Sequence, residues 1–237
     1  MNNIILWDLE TFGFDFKGDK SFILCGSYKR LGEPKVHTIQ RRNLKAAPWD
    51  DKSVCSQLYT VLAKADGFIT HNGTRFDVPL LNTRLMKHGL PFLPPKIQHF
   101  DTCKVIWKKL SMRGKLDSVQ KFLHLRVAKT PLNLETWTMA GFGHRPSMAK
   151  VVEHCEHDVR VLEAVYLKLR GLGYTHFNRA VLVEKEGVCP ICGIEGPLQK
   201  RGFNLAQVTK AQRYQCQECR GWSSGKPIRI KGLETRI

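Results

Sequence analysis

The sequence predicts a three-layer α/β domain followed by a small metal-bound tail, and three observations carry that prediction. Strand-like segments come first, helical and strand-like segments then alternate, and two Cys-x-x-Cys pairs close the chain. Residues 3–8 form a short buried strand, with Ile4-Ile5-Leu6-Trp7 running into Asp8. Strands at 21–28 and 35–40 are separated by the Gly32-Glu33-Pro34 turn. The spacing of Val54, Leu58, Val61 and Leu62 predicts a helix over 52–65, and Gly67-Phe68-Ile69-Thr70 returns to strand. A helix over about 76–88 stops at Gly89, with Pro91 beyond it. A strand at 97–101 and helical pieces at 102–111 and 116–124 follow. The longest periodic segment, 147–170, ends at Gly171-Leu172-Gly173, and from about residue 180 the chain turns Gly-rich. We place a domain boundary at 178/179, with 1–178 and 179–237 as the two parts.

Composition narrows the partners. The chain carries 38 Lys+Arg against 21 Asp+Glu, a formal net charge of +17, with an ordinary 42% of hydrophobic residues. A packed core is therefore attainable, and the charge favours a polyanion: nucleic acid first, an anionic membrane surface second. The N-terminus lacks the basic region of a signal peptide, and no stretch approaches the ~20 apolar residues of a membrane span. The expectation is a cytoplasmic protein with no membrane partner, in a compartment where its eight cysteines stay reduced or bind metal. Cys25, Cys55, Cys103 and Cys155 stand among apolar neighbours as small core residues.

Four acids stand where acids are costly. In a strand, residues i and i+2 share a face, so Asp8 and Glu10 lie side by side at the end of an apolar segment. Two such charges about 5–7 Å apart repel unless a cation lies between them. The apolar stripe Val151, Cys155, Leu162, Val165, Leu169 demands a hydrophobic residue at 158, and the sequence supplies Asp158. A lone carboxylate there requires a salt bridge or a metal. His154, one turn earlier, lies on the same side and is a candidate general base, with His157 a poor rival. Asp77, just ahead of Val78-Pro79, reads either as a helix N-cap or as a fourth acid converging on the same sheet edge. Four hard oxygen donors suit Mg²⁺ or Mn²⁺.

Asp8-Leu9-Glu10-Thr11-Phe12-Gly13, His71-Asn72 with Phe76-Asp77-Val78-Pro79, and His154-Cys155-Glu156-His157-Asp158-Val159 resemble the three motifs of the DEDD (DnaQ-like) 3′–5′ exonucleases. Phe100-Asp101-Thr102 and Leu116-Asp117-Ser118-Val119 resemble secondary signatures of bacterial and phage members. The resemblance covers residues 1 to about 170. It implies a ribonuclease H-like fold with a mixed sheet flanked by helices, in the cytoplasm of a bacterial or phage-infected cell. It further implies a two-metal hydrolysis of nucleic acid, DNA first and RNA second, releasing nucleoside 5′-monophosphates. Asp8, Glu10, Asp77 and Asp158 would hold two Mg²⁺ or Mn²⁺ ions, and His154 would act as base. The family's tyrosine branch places its base four residues before the last acid and its histidine branch five; here those positions are His154 and Glu153. Thr11 and Phe12 match the positions that contact the terminal nucleotide, and Asn72 and Arg75 are candidate phosphate contacts. Phe12 reads equally as ordinary core.

Cys189-Pro-Ile-Cys192 and Cys216-Gln-Glu-Cys219 are separated by 23 residues. Four thiolates in two such knuckles make a closed structural Zn²⁺ site, and a tail with so few large apolar groups needs that metal to fold. The pattern resembles a zinc ribbon, with Tyr214, Trp222 and Pro227 expected around the knuckles. From Glu184 onward there are ten Lys/Arg and five acids. Lys200, Arg201, Lys210, Arg213, Arg220, Lys226, Arg229 and Lys231, interleaved with Tyr214 and Trp222, are a candidate phosphate-binding surface. Two other readings fit the same features: a nucleic-acid-binding protein of weak activity, and a replication or repair accessory protein that docks on a polymerase through its ribbon.

Overall fold

The computed structural model describes residues 3–13, 17–41, 49–95, 97–125, 132–172, 177–196 and 198–232. Gly173, named above, lies outside them. The chain divides into two compact units, Asn3–Leu167 and the segment from Lys168 onward.

In the larger unit β1 (Ile4–Gly13) runs five residues beyond the strand expected at 3–8. Thr11 and Phe12 suit a strand, and they keep β1 paired with β2 (Ser21–Arg30) as far as Gly13 opposite Ser21. β3 (His37–Gln40) continues the antiparallel set. Then come α1 (Lys52–Leu62), β4 (Gly67–Thr70), α2 (Asp77–Lys87), β5 (Gln98–Asp101), α3 (Thr102–Lys109) and α4 (Leu116–Phe122), within a few residues of expectation. α5 (Leu134–Gly141) is an addition; Asn133 caps it, its side chain accepting from the Thr136 N–H at 2.8 Å. α6 (Arg145–Leu169) closes the unit.

The sheet order is β3-β2-β1-β4-β5, with β1, β2 and β3 antiparallel and β1, β4 and β5 parallel. It is the mixed sheet flanked by helices that the family resemblance implies. Ile5, Trp7 and Leu9 of β1 pack against Leu58 and Leu62 of α1 and Leu81 and Leu85 of α2. The alternate residues Asp8 and Glu10 face α6 instead, where the Cys155 thiol donates to the Asp8 carbonyl. A register irregularity follows: Glu10 opposes Cys25 while Thr11 opposes Ile23. The extra residue, Leu24, joins Phe22 and Cys25 in a cluster with Ala140 of α5 and Met148 and Val151 of α6. The expected stripe of α6 is buried at all five apolar positions, with each Val and Leu contributing roughly 1.5–3 kcal/mol.

A buried ion pair absent from the sequence reading ties this unit together. Asp51 and Arg84 are each 1% exposed. Arg84 donates through Nε at 2.8 Å and Nη2 at 2.7 Å to the two Asp51 oxygens, and gives further bonds to the Gly18 and Trp49 carbonyls. Asp51 also accepts from the Ile23 N–H at 2.8 Å and lies 2.6 Å from His88 Nε2. Burial raises its pKa, but the bonds from Arg84, Ile23 and His88 outweigh burial and hold it below the ordinary 3.8.

In the smaller unit α7 (Arg179–Leu182) precedes β6 (Leu198–Leu205), β7 (Thr209–Cys216), β8 (Trp222–Ser224) and β9 (Ile228–Arg229). The strand order is β6-β7-β8, with β9 also paired to β7. Among the described residues, no helix is long and apolar enough to cross a membrane.

Replacing Asp51 with Asn leaves the Arg84 guanidinium buried and half-paired, a loss of about 3–5 kcal/mol. Urea unfolding at neutral pH should show it as an earlier midpoint. In the native protein the unfolded chain takes up the Asp51 proton first on acidification, because the folded pKa is the lower one. The Asp51 contribution is therefore complete above about pH 5 and fades as pH falls through the folded pKa; the variant should lack that acid-dependent component.

Candidate active site

Three elements bring the acids together. Asp8 and Glu10 share the α6 face of β1, Asp158 projects from α6, and Asp77 opens α2 just beyond the end of β4. Asp77 does not cap its helix: Phe76 holds the N-cap position, and the Asp77 carboxylate accepts from the Leu9 N–H of β1 at 3.2 Å. That bond crosses from the helix to the strand between Asp8 and Glu10, and it sets the Asp77 carboxylate beside the other acids. Asp158 is half-buried, its side chain 26% exposed, at the rim of the cluster. His154 Nε2 lies 3.8 Å from Glu10 Oε1 and 3.7 Å from Asp158 Oδ2, with the Trp137 ring edge-on to it at 6.2 Å. Glu10, His154 and Asp158 can therefore converge on one ion, as can Asp8, Glu10 and Cys155.

The electrostatics are those of a cation site. Burial pushes the Asp8 pKa well up, and the charges of Asp77 and Asp158 push it further. Glu10 rises for the same first reason, with Cys155, Asp8, Asp158 and Asp77 adding to it. Burial lifts Asp77 to about 7. Like charges crowded out of water favour their neutral forms until a positive charge is placed among them. Carboxylate oxygens from three elements, with one imidazole at the rim, fit a hard divalent cation.

Cys155 is more than a small core residue. Its Sγ lies 3.5 Å from the Asp8 carbonyl oxygen and 3.9 Å from Asp8 Oδ2, so the thiol braces the strand that carries the acids. Its position three residues before Asp158 is the signal in the sequence. His157 is buried, and its Nε2 finds no hydrogen-bond partner among the described residues.

The candidate substrate contacts divide. Thr11 and Phe12 lie on β1 just past the acids, and Phe12 packs edge-on between Phe22 at 5.7 Å and the exposed Phe142 at 6.0 Å. Asn72 has φ 66°, a left-handed conformation that Asn tolerates. Asp101 holds it there: its oxygens accept from the N–H groups of Asn72, Thr74, Cys103 and Lys104 and from the Thr74 hydroxyl at 2.6 Å. Burial opposes ionisation of Asp101, yet those donors keep its pKa below the usual range. Arg75 is exposed, its guanidinium 5.6 Å from the Trp107 ring. Beside Asn72 opens a groove of about 690 Å³ lined by His71, Trp107, Arg113 and Lys115. The spacing of these residues gives no sign of the groove.

In the smaller unit all four thiols of Cys189, Cys192, Cys216 and Cys219 lie within 4.8 Å of one another. The Cys189–Cys219 and Cys192–Cys216 sulfurs are 3.8 and 3.7 Å apart. A tetrahedral ion with metal–sulfur bonds of about 2.3 Å separates its ligands by about 3.8 Å, so the cradle matches Zn²⁺. The residue after each pair is left-handed, Gly193 at φ 77° and Arg220 at φ 59°, and each donates its N–H to the carbonyl of the first cysteine of its pair. Ile191 and Leu198 pack on the cysteines. Trp222, expected there, instead stands 47% exposed under Arg213, and Pro227 is exposed.

The RNase_H_2 family model, described as RNase_H superfamily, matches residues 5–170, well over half of the chain. The protein belongs to the RNase_H superfamily. The matched RNase_H segment contains every element that carries the acid cluster, which is thus the candidate centre of a metal-dependent nuclease. No curated protein matches the chain. Among solved structures, Brucella melitensis NrnC is similar at 18% identity over 71% of this chain and 82% of that one, with a TM-score of 0.37. The same protein with bound Mg²⁺ and bound to pGG gives 17% identity over the same shares, with TM-scores of 0.34 and 0.37. The family assignment rests on the family model.

Asp101→Ala should unpair the donors of the 72–74 turn and the start of α3, costing about 2–3 kcal/mol. Chemical denaturation measures that loss, and limited proteolysis should show new cleavage near Asn72.

Proposed function

We propose that the protein is a metal-dependent 3′–5′ exonuclease that hydrolyses phosphodiester bonds of DNA, and RNA as the second choice, to nucleoside 5′-monophosphates. The observation that carries this reading is the convergence of Asp8, Glu10, Asp77 and Asp158 on the α6 edge of β1, with His154 within 4 Å of two of them. Asp8, Glu10, Asp77 and Asp158 would hold two Mg²⁺ or Mn²⁺ ions, which supply Lewis acidity and neutralise charge at the scissile phosphate. His154 takes the proton of the attacking water at Nε2, the atom turned toward Glu10 and Asp158. Thr11 and Phe12 seat the terminal nucleotide, while Asn72 and Arg75 contact phosphates on the side of the Trp107 groove. The turn that carries Asn72 is already ordered by Asp101, so it needs no rearrangement to receive substrate.

Residues 1–178 form the hydrolytic part on this reading, and residues 179–237 a ribbon organised by one structural Zn²⁺ on Cys189, Cys192, Cys216 and Cys219. Held by four thiolates, such an ion would supply structure and not chemistry, fixing the strands that meet nucleic acid. A replication or repair partner is compatible with the same surface.

With 3′- and 5′-labelled DNA and RNA oligonucleotides and added Mg²⁺ or Mn²⁺, the expected product is a ladder shortening from the 3′ end. Asp8→Asn and Asp158→Asn should each lose more than the 10–100-fold typical of outer-shell changes while keeping a cooperative unfolding transition. Wild-type rates in either variant would remove the two-metal assignment. For the ribbon, elemental analysis should find one zinc per chain, and Cys216→Ser should lose it together with ordered signals from residues 189–232.

A further inference from the structure

The strands of the ribbon, β6 to β9, contain five cations and no acid: Lys200, Arg201, Lys210, Arg213 and Arg229. Strand register divides these cations between two faces. Residues opposed across an antiparallel pair share a face, and neighbours along a strand alternate. On β7, Arg213 shares its face with Thr209, Ala211 and Gln215. The partners of those four are Ser224, Arg229, Asn204, and Gln199 with Trp222. Arg201 falls in the irregularity between Lys200 and Phe203 and bonds to Gln199 Oε1 at 2.9 Å, which brings it to the same side. The opposite face carries Lys200 and Lys210 among Phe203, Leu205, Tyr214 and Ile228.

The arginine face is organised. The Arg213 guanidinium lies 5.0 Å from the Trp222 ring centroid, and its Nε donates to the Arg201 carbonyl at 2.9 Å. The Asn204 amide bonds to the Ser224 hydroxyl above Ala211, which is buried beneath them. What remains exposed is a surface of guanidinium groups, side-chain amides and one indole. Arginines stacked on an aromatic ring suit phosphate and base together, whereas a membrane surface asks for lysines beside apolar side chains that can insert.

We propose that this face, and not the lysine face, binds the sugar–phosphate backbone of a single nucleic-acid strand. Arg201, Arg213 and Arg229 contact phosphates, and a base stacks on the Arg213–Trp222 pair. The inference deepens the nuclease reading, which supplies its choice of ligand, but it is read out by binding alone.

The test uses the full-length zinc-loaded chain and a fluorescein-labelled oligonucleotide of about 20 nucleotides, followed by anisotropy without added Mg²⁺. Arg213→Ala with Arg229→Ala should weaken binding more than about tenfold and reduce the log–log salt slope by about 1.4, or 0.7 per lost phosphate contact. Lys200→Ala with Lys210→Ala should change neither by much. Arg213→Lys should keep the salt slope and lose part of the affinity, a split that mere misfolding does not produce. Equal losses from both faces, or wild-type binding by the arginine double variant, would overturn the proposal. So would arginine-dependent binding to phosphatidylserine vesicles without oligonucleotide binding. Hydrolysis of thymidine 5′-p-nitrophenyl phosphate separates the two readings. A wild-type chain that binds the oligonucleotide through the arginine face yet leaves the ester intact supports this proposal and counts against the nuclease.

Discussion

Like charges that share the buried side of a single strand set the terms for the larger unit. The alternation of β1 sends Ile5, Trp7 and Leu9 into one apolar layer and turns Asp8 and Glu10 toward α6. Asp77 and Asp158 crowd the same volume from two helices, and their charges raise the Asp8 pKa on top of burial. A sheet with ordinary side chains at these positions would hold together as well or better. The cluster therefore reads as a site whose local instability is relieved by a cation, in keeping with the way functional sites depart from rules that the rest of a fold obeys.

Asp8, Glu10 and Asp158 were legible because they break a pattern that physics imposes on their neighbours. Asp158 interrupts a stripe whose other members are all buried, and Asp8 with Glu10 follows four apolar residues at strand spacing. Asp77 was legible only as an alternative. Its local sequence is that of a cap, and the Leu9 N–H that claims its carboxylate lies 68 residues away. Distance in sequence hides the Asp51–Arg84 pair in the same way, since neither residue breaks a local pattern. Strand ends were the weakest part of the reading. β1 continues to Gly13 because β2 is there to pair with it, and α5 depends on a cluster with Phe22 and Leu24.

In the smaller unit, the cysteine spacing announces the cluster of four thiols, but the series of cations around it carries no directional information. An irregularity of the kind found between Lys200 and Phe203 reverses which residues look the same way, so the sorting of arginines from lysines emerges only from the register. Trp222 shows the same limit: near the second knuckle in sequence, it is exposed under Arg213 instead of packing on the cysteines.

The Asp51 carboxylate has a dynamic consequence as well. It holds, directly or through Arg84, the backbone at Gly18, Ile23 and Trp49 and the end of α2. None of these segments can open to solvent alone without stranding a buried charge, so they must open together. Exchange of the Ile23 amide with solvent thus reports a concerted event spanning some 70 residues, and not the fraying of one strand.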